Sequence, residues 1–178
     1  MAKIGIFFGT DTGNTRKIVK AIAKTLGDDA DAPVNVQKAE PEDLLKYESL
    51  ILASPTLDDG ELPGMEAGGE SESWGEFLPK LKELDFAGKT IALIGLGDQQ
   101  GYPDNFVDAI GIIHKRLSKV GATFVGEWPV DVLRIDGAEA DRFCFRGTDR
   151  EMTAGMLAVR QGVASLPACV IAGQLYLN

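Results

Sequence analysis

The sequence predicts an α/β fold, a doubly wound parallel sheet with helices on both faces. Short apolar runs of strand length alternate with segments of helical periodicity up to about residue 125. Apolar runs without polar alternation are typical of parallel strands that are buried on both faces. The 178 residues, 44% hydrophobic and 25% charged, suit one domain with a substantial core, 1–178.

The elements follow one another in an alternating order. The predicted strands are 3–8, 34–36, 50–53, 90–94 and 123–125. The predicted helices, with apolar residues every three or four positions, are 14–26, a short one from Pro41, 74–84, 104–120 and 149–165. Residues 56–73 hold five Gly or Pro and predict a long loop. The apolar segment 169–172 is strand-like but has no obvious place in the sheet.

The charge of the chain limits its partners. The net charge of −9 argues against nucleic acid and anionic membranes and favours a basic protein partner. Seven acids lie between Asp58 and Glu76, with no Lys or Arg between Lys46 and Lys80. No apolar run approaches the roughly 18–20 residues of a membrane span, and the start does not look like a signal peptide. Cys144 and Cys169 suit free thiols in a cytoplasmic protein.

The loop after the first strand has the composition of a phosphate site. It consists of Gly9, Thr10, Asp11, Thr12, Gly13, Asn14 and Thr15, and it runs directly into a helix. Helix N-termini offer unpaired N–H groups and a favourable dipole to an anion. The loop lacks the Lys of nucleoside-triphosphate loops, so hydroxyl donors without a cation favour a terminal phosphate monoester. The alternative is an ordinary helix N-cap.

Two further loops leave the carboxyl ends of strands, 54–61 and 95–105, and the topology of such a sheet brings them to the first loop. Tyr102 can stack on a planar ring, or it is an ordinary surface aromatic. Asp98 follows a strand end and can meet a polar ring edge. His114 lies within a predicted helix and suits a structural role, and no metal-ligand spacing is present.

These loops resemble those of the flavodoxin family. Residues 9–15 match its phosphate loop, 55–64 resemble its second loop, and 95–106 closely resemble its third. Residues 72–78 and 89–93 also fit. The resemblance covers about residues 1–129 in order, and it is to the long-chain flavodoxins of nitrogen-fixing bacteria in particular. It implies five parallel strands in the order 2-1-3-4-5.

The resemblance also implies a non-covalently bound FMN. Residues Thr10 to Thr15 would hold its phosphate, and Thr56 would contact the ribityl chain. Tyr102 and Leu57 would cover the two ring faces. The ring's polar edge would meet Asp98, Asn105 and the backbone near Leu96 and Gly97. The peptide between Asp58 and Asp59, next to Gly60, would flip to accept a hydrogen bond from the flavin N5–H.

The implied function is a low-potential one-electron carrier that cycles between semiquinone and hydroquinone and is not an enzyme. The implied partners are the nitrogenase iron protein, pyruvate:flavodoxin oxidoreductase or flavodoxin reductase, and the protein would be a cytoplasmic monomer. The alternative is a flavin-dependent quinone reductase-like enzyme, although no candidate base supports it. A signalling receiver domain is disfavoured, because the third strand ends in Ser54-Pro-Thr rather than in a phospho-accepting Asp.

The chain departs from the family in two places. Asp58 stands where close relatives have Gly, and Asp adopts a positive φ at a higher cost than Gly, so we expect a less stabilised semiquinone. The tail 130–178 is divergent: it lacks the family's Asp-Asn-Gln run, and it holds five of the seven Arg and no Lys. A changed reading frame or strong local divergence would account for it, and the coding DNA would distinguish the two.

Overall fold

A computed structural model describes residues 3–97, 102–105, 107–125 and 153–154. Five parallel strands form the sheet in the order β2-β1-β3-β4-β5, which confirms the predicted topology. The strands are β1 (Ile4–Phe8), β2 (Val34–Asn35), β3 (Ser49–Pro55), β4 (Thr90–Gly97) and β5 (Thr123–Phe124). A two-residue strand, β6 (Thr153–Ala154), pairs antiparallel with Leu96 and Gly97 at the end of β4.

Within the described residues, three α-helices and several 3₁₀ turns connect these strands. The helices are α1 (Asn14–Leu26), α2 (Trp74–Phe77) and α3 (Asp108–Ser118). The 3₁₀ turns are Gly27–Asp29, Val36–Lys38, Pro41–Lys46, Leu78–Glu83 and Pro103–Asn105. No helix within the described ranges is long and apolar enough to cross a membrane.

The sheet is covered on both faces, as predicted. On one face, Ile4, Ile6 and Phe8 of β1 pack with the apolar stripe of α1, which includes Ile18 and Ile22. On the other face, side chains from the middle strands pack with α2, α3 and the turn between α2 and β4. That second cluster includes Phe7, Leu52, Trp74, Leu81, Ile110 and Ile113. Side chains of the central strands are almost wholly buried, which explains why their sequences lack polar alternation.

Several predicted boundaries were wrong for local reasons. Strands β3 and β4 extend to Pro55 and Gly97, beyond the predicted ends. The predicted helix 74–84 is α only to Phe77 and then 3₁₀, since Pro79 lacks the N–H that an α-helix needs. The predicted helix 104–120 begins only at Asp108, because Val107 before it has a φ of 58°.

The tail prediction was wrong where the structure tests it. Residues 153–154, inside the predicted helix 149–165, form β6. Among the described residues, β5 pairs with Thr90 and Ile91 at the start of β4, and β6 bonds at the other end of β4, to Leu96 and Gly97. The rest of that predicted helix and the strand-like segment 169–172 lie outside the described residues.

Candidate functional site

The loops that follow β1, β3 and β4 meet at one open cavity of about 210 Å³. It lies at the carboxyl ends of these strands, which confirms the predicted convergence. The cavity is lined by Asp11, Thr12, Asn14, Thr15, Pro55, Thr56, Leu57, Asp58, Leu96, Gly97, Tyr102 and Asn105. The first loop brings hydroxyl, amide and carboxylate groups to this lining, and the other two loops bring apolar and aromatic side chains together with the polar Thr56, Asp58 and Asn105.

The first loop turns sharply from β1 into α1. Gly9 donates its N–H to the carbonyl of Ala53 at 2.9 Å, and a Cβ at Gly9 would lie 2.3 Å from the Trp74 ring. Only glycine fits this approach. The Trp74 indole donates to the same Ala53 carbonyl at 2.8 Å. The loop thus begins from a backbone that is fixed between β3 and α2.

Helix α1 begins without a side-chain cap. Its N-cap residue is Gly13, with a φ of 88°, and this N-cap makes no side-chain hydrogen bond to the first turn. The alternative prediction of an ordinary Thr or Asn N-cap was therefore wrong. The Thr10 hydroxyl oxygen instead accepts the Gly13 N–H at 3.0 Å. The start of α1, which lacks a side-chain cap, therefore suits an anion at this end of the cavity.

The second loop makes a tight turn at 57–60. The Gly60 and Glu61 N–H groups donate to the Leu57 carbonyl at 3.2 and 2.8 Å, and Leu57 N–H donates to the Glu61 carbonyl at 3.0 Å. Asp58 has a φ of 41° and Gly60 a φ of 99°. Asp58 therefore occupies a backbone conformation that glycine adopts at much lower cost.

The third loop and the start of α3 hold the second loop in place. The Asn105 amide donates to the Asp59 carbonyl at 3.0 Å. The Thr56 hydroxyl accepts the Ala109 N–H at 3.3 Å, near the start of α3. A Cβ at Gly60 would lie 2.8 Å from an oxygen of Asp108. The turn at 57–60 and the start of α3 are thus one connected unit.

The acidic loop beside the cavity is folded around one carboxylate. Glu76 of α2 accepts the N–H groups of Met65 and Ser73, each at 2.8 Å. Burial alone would raise the pKa of this carboxyl, but backbone N–H groups, including those of Ser73 and Met65, outweigh it and hold the pKa below its ordinary value. Loop 62–73 therefore has a fixed path although it has no regular secondary structure.

The predicted site residues fall into three groups. Most of them line the cavity together. Thr10, Gly13, Asp59 and Gly60 lie in the same loops but support the lining from outside, and Asp98 lies outside the described residues. The exposed ring of Tyr102, at 52% exposure, is at the cavity. His114 packs against Phe124 with the ring centres 4.3 Å apart, which suits the structural role predicted for it.

Sequence reasoning missed three contributors. Pro55 lines the cavity, and Asp108 and Val107 shape the start of α3. Pro55 lies in the predicted loop 54–61, and its position beside Thr56 could have indicated a lining role. Nothing in the sequence signals the positive φ of a valine. Among the described residues, no group of three or more His, Cys, Asp or Glu is placed to hold a metal ion.

Comparisons with known proteins agree with this geometry. The flavodoxin family profile matches residues 6–146. A flavodoxin of Klebsiella pneumoniae is 53% identical over 146 residues, which cover 80% of this chain and 83% of that protein. Flavodoxin 1 of Escherichia coli K12 is 39% identical over 164 residues, covering 90% and 89%.

The fold is also similar to solved structures. The crystal structure of Fusobacterium nucleatum flavodoxin bound to flavin mononucleotide superposes with a TM-score of 0.67 at 33% identity, covering 80% of this chain and 82% of that one. The family match spans more than half of the chain, and the curated relatives match it over most of their own length. The chain therefore belongs to the flavodoxin family, whose members are electron-transfer proteins rather than enzymes.

Proposed function

We propose that this chain is a low-potential one-electron carrier that binds FMN non-covalently in the cavity described above. The observation that carries the proposal is the composition of one continuous lining. A loop of neutral donors, Thr12 to Thr15, shares a cavity with the apolar Leu57 and the aromatic Tyr102. A phosphate monoester that is joined through a polar chain to a flat ring requires this combination.

The residues present fit the phosphate end of FMN. The first turn of α1 has N–H groups without a side-chain cap, and the hydroxyls of Thr10 and Thr12 accept hydrogen bonds from within the loop. A hydroxyl carries a single hydrogen, which remains for donation to a phosphate oxygen. We propose that residues Thr10 to Thr15, including Asp11, Gly13 and Asn14, form this subsite through hydroxyls and backbone N–H groups.

The other end of the cavity fits the ring. Tyr102 is half exposed and presents a flat aromatic face, and Leu57 is half-buried beside the cavity. We propose that these two cover the ring, that Thr56 lies beside the ribityl chain, and that Leu96, Gly97, Asp98 and Asn105 are near the polar edge. The turn residues Asp58, Asp59 and Gly60 would face the ring's reactive edge, and their backbone would set its hydrogen bonding.

When bound, FMN supplies the redox chemistry, a one-electron cycle between its semiquinone and hydroquinone forms. The chain's contribution to the potential is electrostatic. Asp58 and Asp59 are exposed at the cavity turn, and more acids follow between Glu61 and Glu76. A unit charge ~12 Å from the added electron costs about 1.4 kcal/mol at an effective dielectric of ~20, or about 60 mV. Several such acids favour a low potential, reduced by salt screening.

The acidic surface also supports a proposal about partners. We propose docking onto basic surfaces of redox proteins, such as the nitrogenase iron protein, pyruvate:flavodoxin oxidoreductase or flavodoxin reductase. Electrostatic complementarity raises association rates and fixes the docking orientation. We further propose that the protein works as a cytoplasmic monomer in nitrogen fixation.

The test is a visible spectrum followed by a reductive titration of the purified protein. We expect flavin bands, release of FMN rather than riboflavin on denaturation, and two separate one-electron potentials. A colourless protein that does not take up added FMN would contradict the proposal. Steady turnover of NAD(P)H with a quinone would contradict it in favour of the quinone reductase-like alternative. Electron delivery to nitrogenase iron protein at several salt concentrations tests the partner separately.

A further inference from the structure

The start of α1 carries a side-chain relay that leads from a cation to the cavity. The Lys17 ammonium lies 3.5 Å from the Asn14 amide oxygen. The Asn14 amide nitrogen donates to the Thr12 hydroxyl oxygen at 3.1 Å. Thr12 and Asn14 line the cavity, whereas Lys17 is exposed and is not part of the lining. The cation can therefore affect a ligand through the two side chains that separate them.

The orientation of the Asn14 amide determines whether the Thr12 hydroxyl can donate a hydrogen bond into the cavity or only accept one. In the observed direction the amide oxygen faces the Lys17 ammonium and the NH₂ faces the Thr12 oxygen. Thr12 then accepts from Asn14, and its single hydrogen remains for a group in the cavity. With the amide reversed, the NH₂ would face a cation, and the amide oxygen could take the Thr12 hydrogen. The Thr12 oxygen would then present lone pairs to the cavity.

We infer that Lys17 is a positioning residue that holds Thr12 as a hydrogen-bond donor to the phosphate of the cofactor. The inference rests on the proposed function, since it concerns the same FMN site. The Lys17 ammonium disfavours the reversed Asn14 amide by charge–dipole repulsion. Asn14 therefore keeps its NH₂ toward the Thr12 oxygen, and the Thr12 hydrogen points to the cavity. A phosphate dianion accepts hydrogen bonds and donates none, so a Thr12 oxygen that presents lone pairs would repel it. Lys17 thereby favours FMN over riboflavin, which lacks the phosphate.

The test measures the affinities of FMN and riboflavin for the full chain freed of flavin, at constant ionic strength. We compare the unsubstituted chain with Lys17→Met and with Lys20→Met, an exposed lysine on the same helix, as the matched control. Since hydrogen bonds to charged groups are among the stronger ones, we expect Lys17→Met to weaken FMN binding about tenfold. Riboflavin binding should not change, and it reports that the site is intact. Lys20→Met should leave the affinity ratio nearly unchanged.

A double-mutant cycle separates positioning from direct attraction. In a Thr12→Ala background the relay has no hydroxyl to orient, so Lys17→Met should cause no further loss of FMN preference. An equal loss in both backgrounds would mean that the ammonium attracts the phosphate through space, and the inference would be wrong. An unchanged FMN-to-riboflavin ratio in Lys17→Met alone would also overturn it. If the unsubstituted chain shows no preference for FMN, the proposed function fails first and the inference with it.

Discussion

Polar side chains have different roles at the two ends of the strands. The side of the sheet where the strands begin is its amino edge, and the side where they end is its carboxyl edge. At the amino ends of the strands, Tyr47 donates its hydroxyl to Asp31 at 2.9 Å and Lys3 lies 3.1 Å from the same carboxylate. Lys89 donates to the carbonyls of Leu45 and Tyr47 at 2.8 and 2.7 Å. The Tyr47 hydroxyl and then Lys3 lower the pKa of the Asp31 carboxyl. These groups satisfy one another.

At the carboxyl ends, by contrast, polar side chains that already make one hydrogen bond also line an open cavity. Thr12 and Thr56 accept bonds through their hydroxyl oxygens but also line the cavity. Both edges belong to the same parallel sheet, so topology alone does not distinguish them. At the amino ends the polar groups hydrogen-bond to one another, whereas at the carboxyl ends several of them line a cavity that can hold a ligand. Substitutions at the amino edge should therefore change stability, and those at the carboxyl edge should change affinity or potential.

The largest expected effect is at the amino edge, in Gly5→Ala. A Cβ at Gly5 would lie 2.5 Å from a ring carbon of Tyr47, which packs edge-on against Phe7. Overpacking of this kind lowers the free energy of unfolding by about 1–3 kcal/mol. Urea unfolding measures it. FMN affinity should change little, because Gly5 lies away from the cavity lining.

The matched control for Gly5→Ala is Gly111→Ala in α3. A Cβ there meets nothing within 4 Å, and Ala exceeds Gly in helix propensity by up to ~1 kcal/mol. This variant should be at least as stable as the unsubstituted chain. Equal losses in the two variants would show that the contact with Tyr47 does not determine the cost at Gly5.

The second-largest effect is expected from Glu76→Gln, because Glu76 differs from the other polar residues at the carboxyl edge. Glu76 is near the carboxyl edge but is satisfied internally by Met65 and Ser73. We expect the free energy of unfolding at pH 7 to fall by about 1–2 kcal/mol, because a neutral amide accepts these bonds more weakly. Glu70→Gln, an exposed acid of the same loop, is the control and should change stability little.

The pH dependence of stability checks the same residue. The folded-state pKa of Glu76 is lowered from an ordinary value of 4.5. Its contribution is therefore complete above pH 4.5 and is lost as the pH falls through the lower folded-state pKa. Denaturant titrations across this range should give a flatter pH dependence for Glu76→Gln than for the unsubstituted chain. Parallel curves would show that the carboxylate does not hold loop 62–73.

The alternating pattern of apolar runs predicted a parallel sheet and the meeting of three loops at one end of it, whereas the strand order 2-1-3-4-5 came from the resemblance to the flavodoxin loops. Helix α1 was predicted with its observed bounds, since Gly13 and Gly27 mark its ends and its apolar stripe is regular. The late start of α3 was not predictable, since a valine gives no local signal for the φ of 58° that Val107 adopts. The bond from Asn105 to the Asp59 carbonyl joins residues 46 positions apart, and no local pattern encodes it.

A smaller effect is expected from Asp58→Gly, which probes the strained turn. The φ of 41° at Asp58 costs a non-glycine residue more than it costs glycine. Relief of that strain should raise the free energy of unfolding by up to ~1 kcal/mol and ease changes in the turn's backbone. We therefore expect a wider separation between the two one-electron potentials of bound FMN in a reductive titration.

Asp59→Gly is the matched control for Asp58→Gly, since it removes one acid from the same turn at a residue without positive φ. The loss of charge should shift the potentials alike in both variants. Only Asp58→Gly should also widen the separation between the two potentials. Asp59→Gly should lower the free energy of unfolding, because glycine loses more conformational entropy on folding than other residues do. The same separation in both variants would rule out a backbone effect at Asp58.

The smallest expected effect is from Asn105→Ala, which removes the amide that joins the third loop to the turn at 57–60. The bond to the Asp59 carbonyl is exposed, so its loss should cost only about 0.5–1 kcal/mol of stability. Amide exchange at Gly60 and Glu61 should accelerate, because the turn loses its anchor. Asp104→Asn, at an exposed neighbour in the same 3₁₀ turn, should leave that exchange unchanged. Unaltered exchange in Asn105→Ala would mean that the bonds within the turn hold it without help from the third loop, and that the loops at the carboxyl edge are less coupled than their contacts indicate.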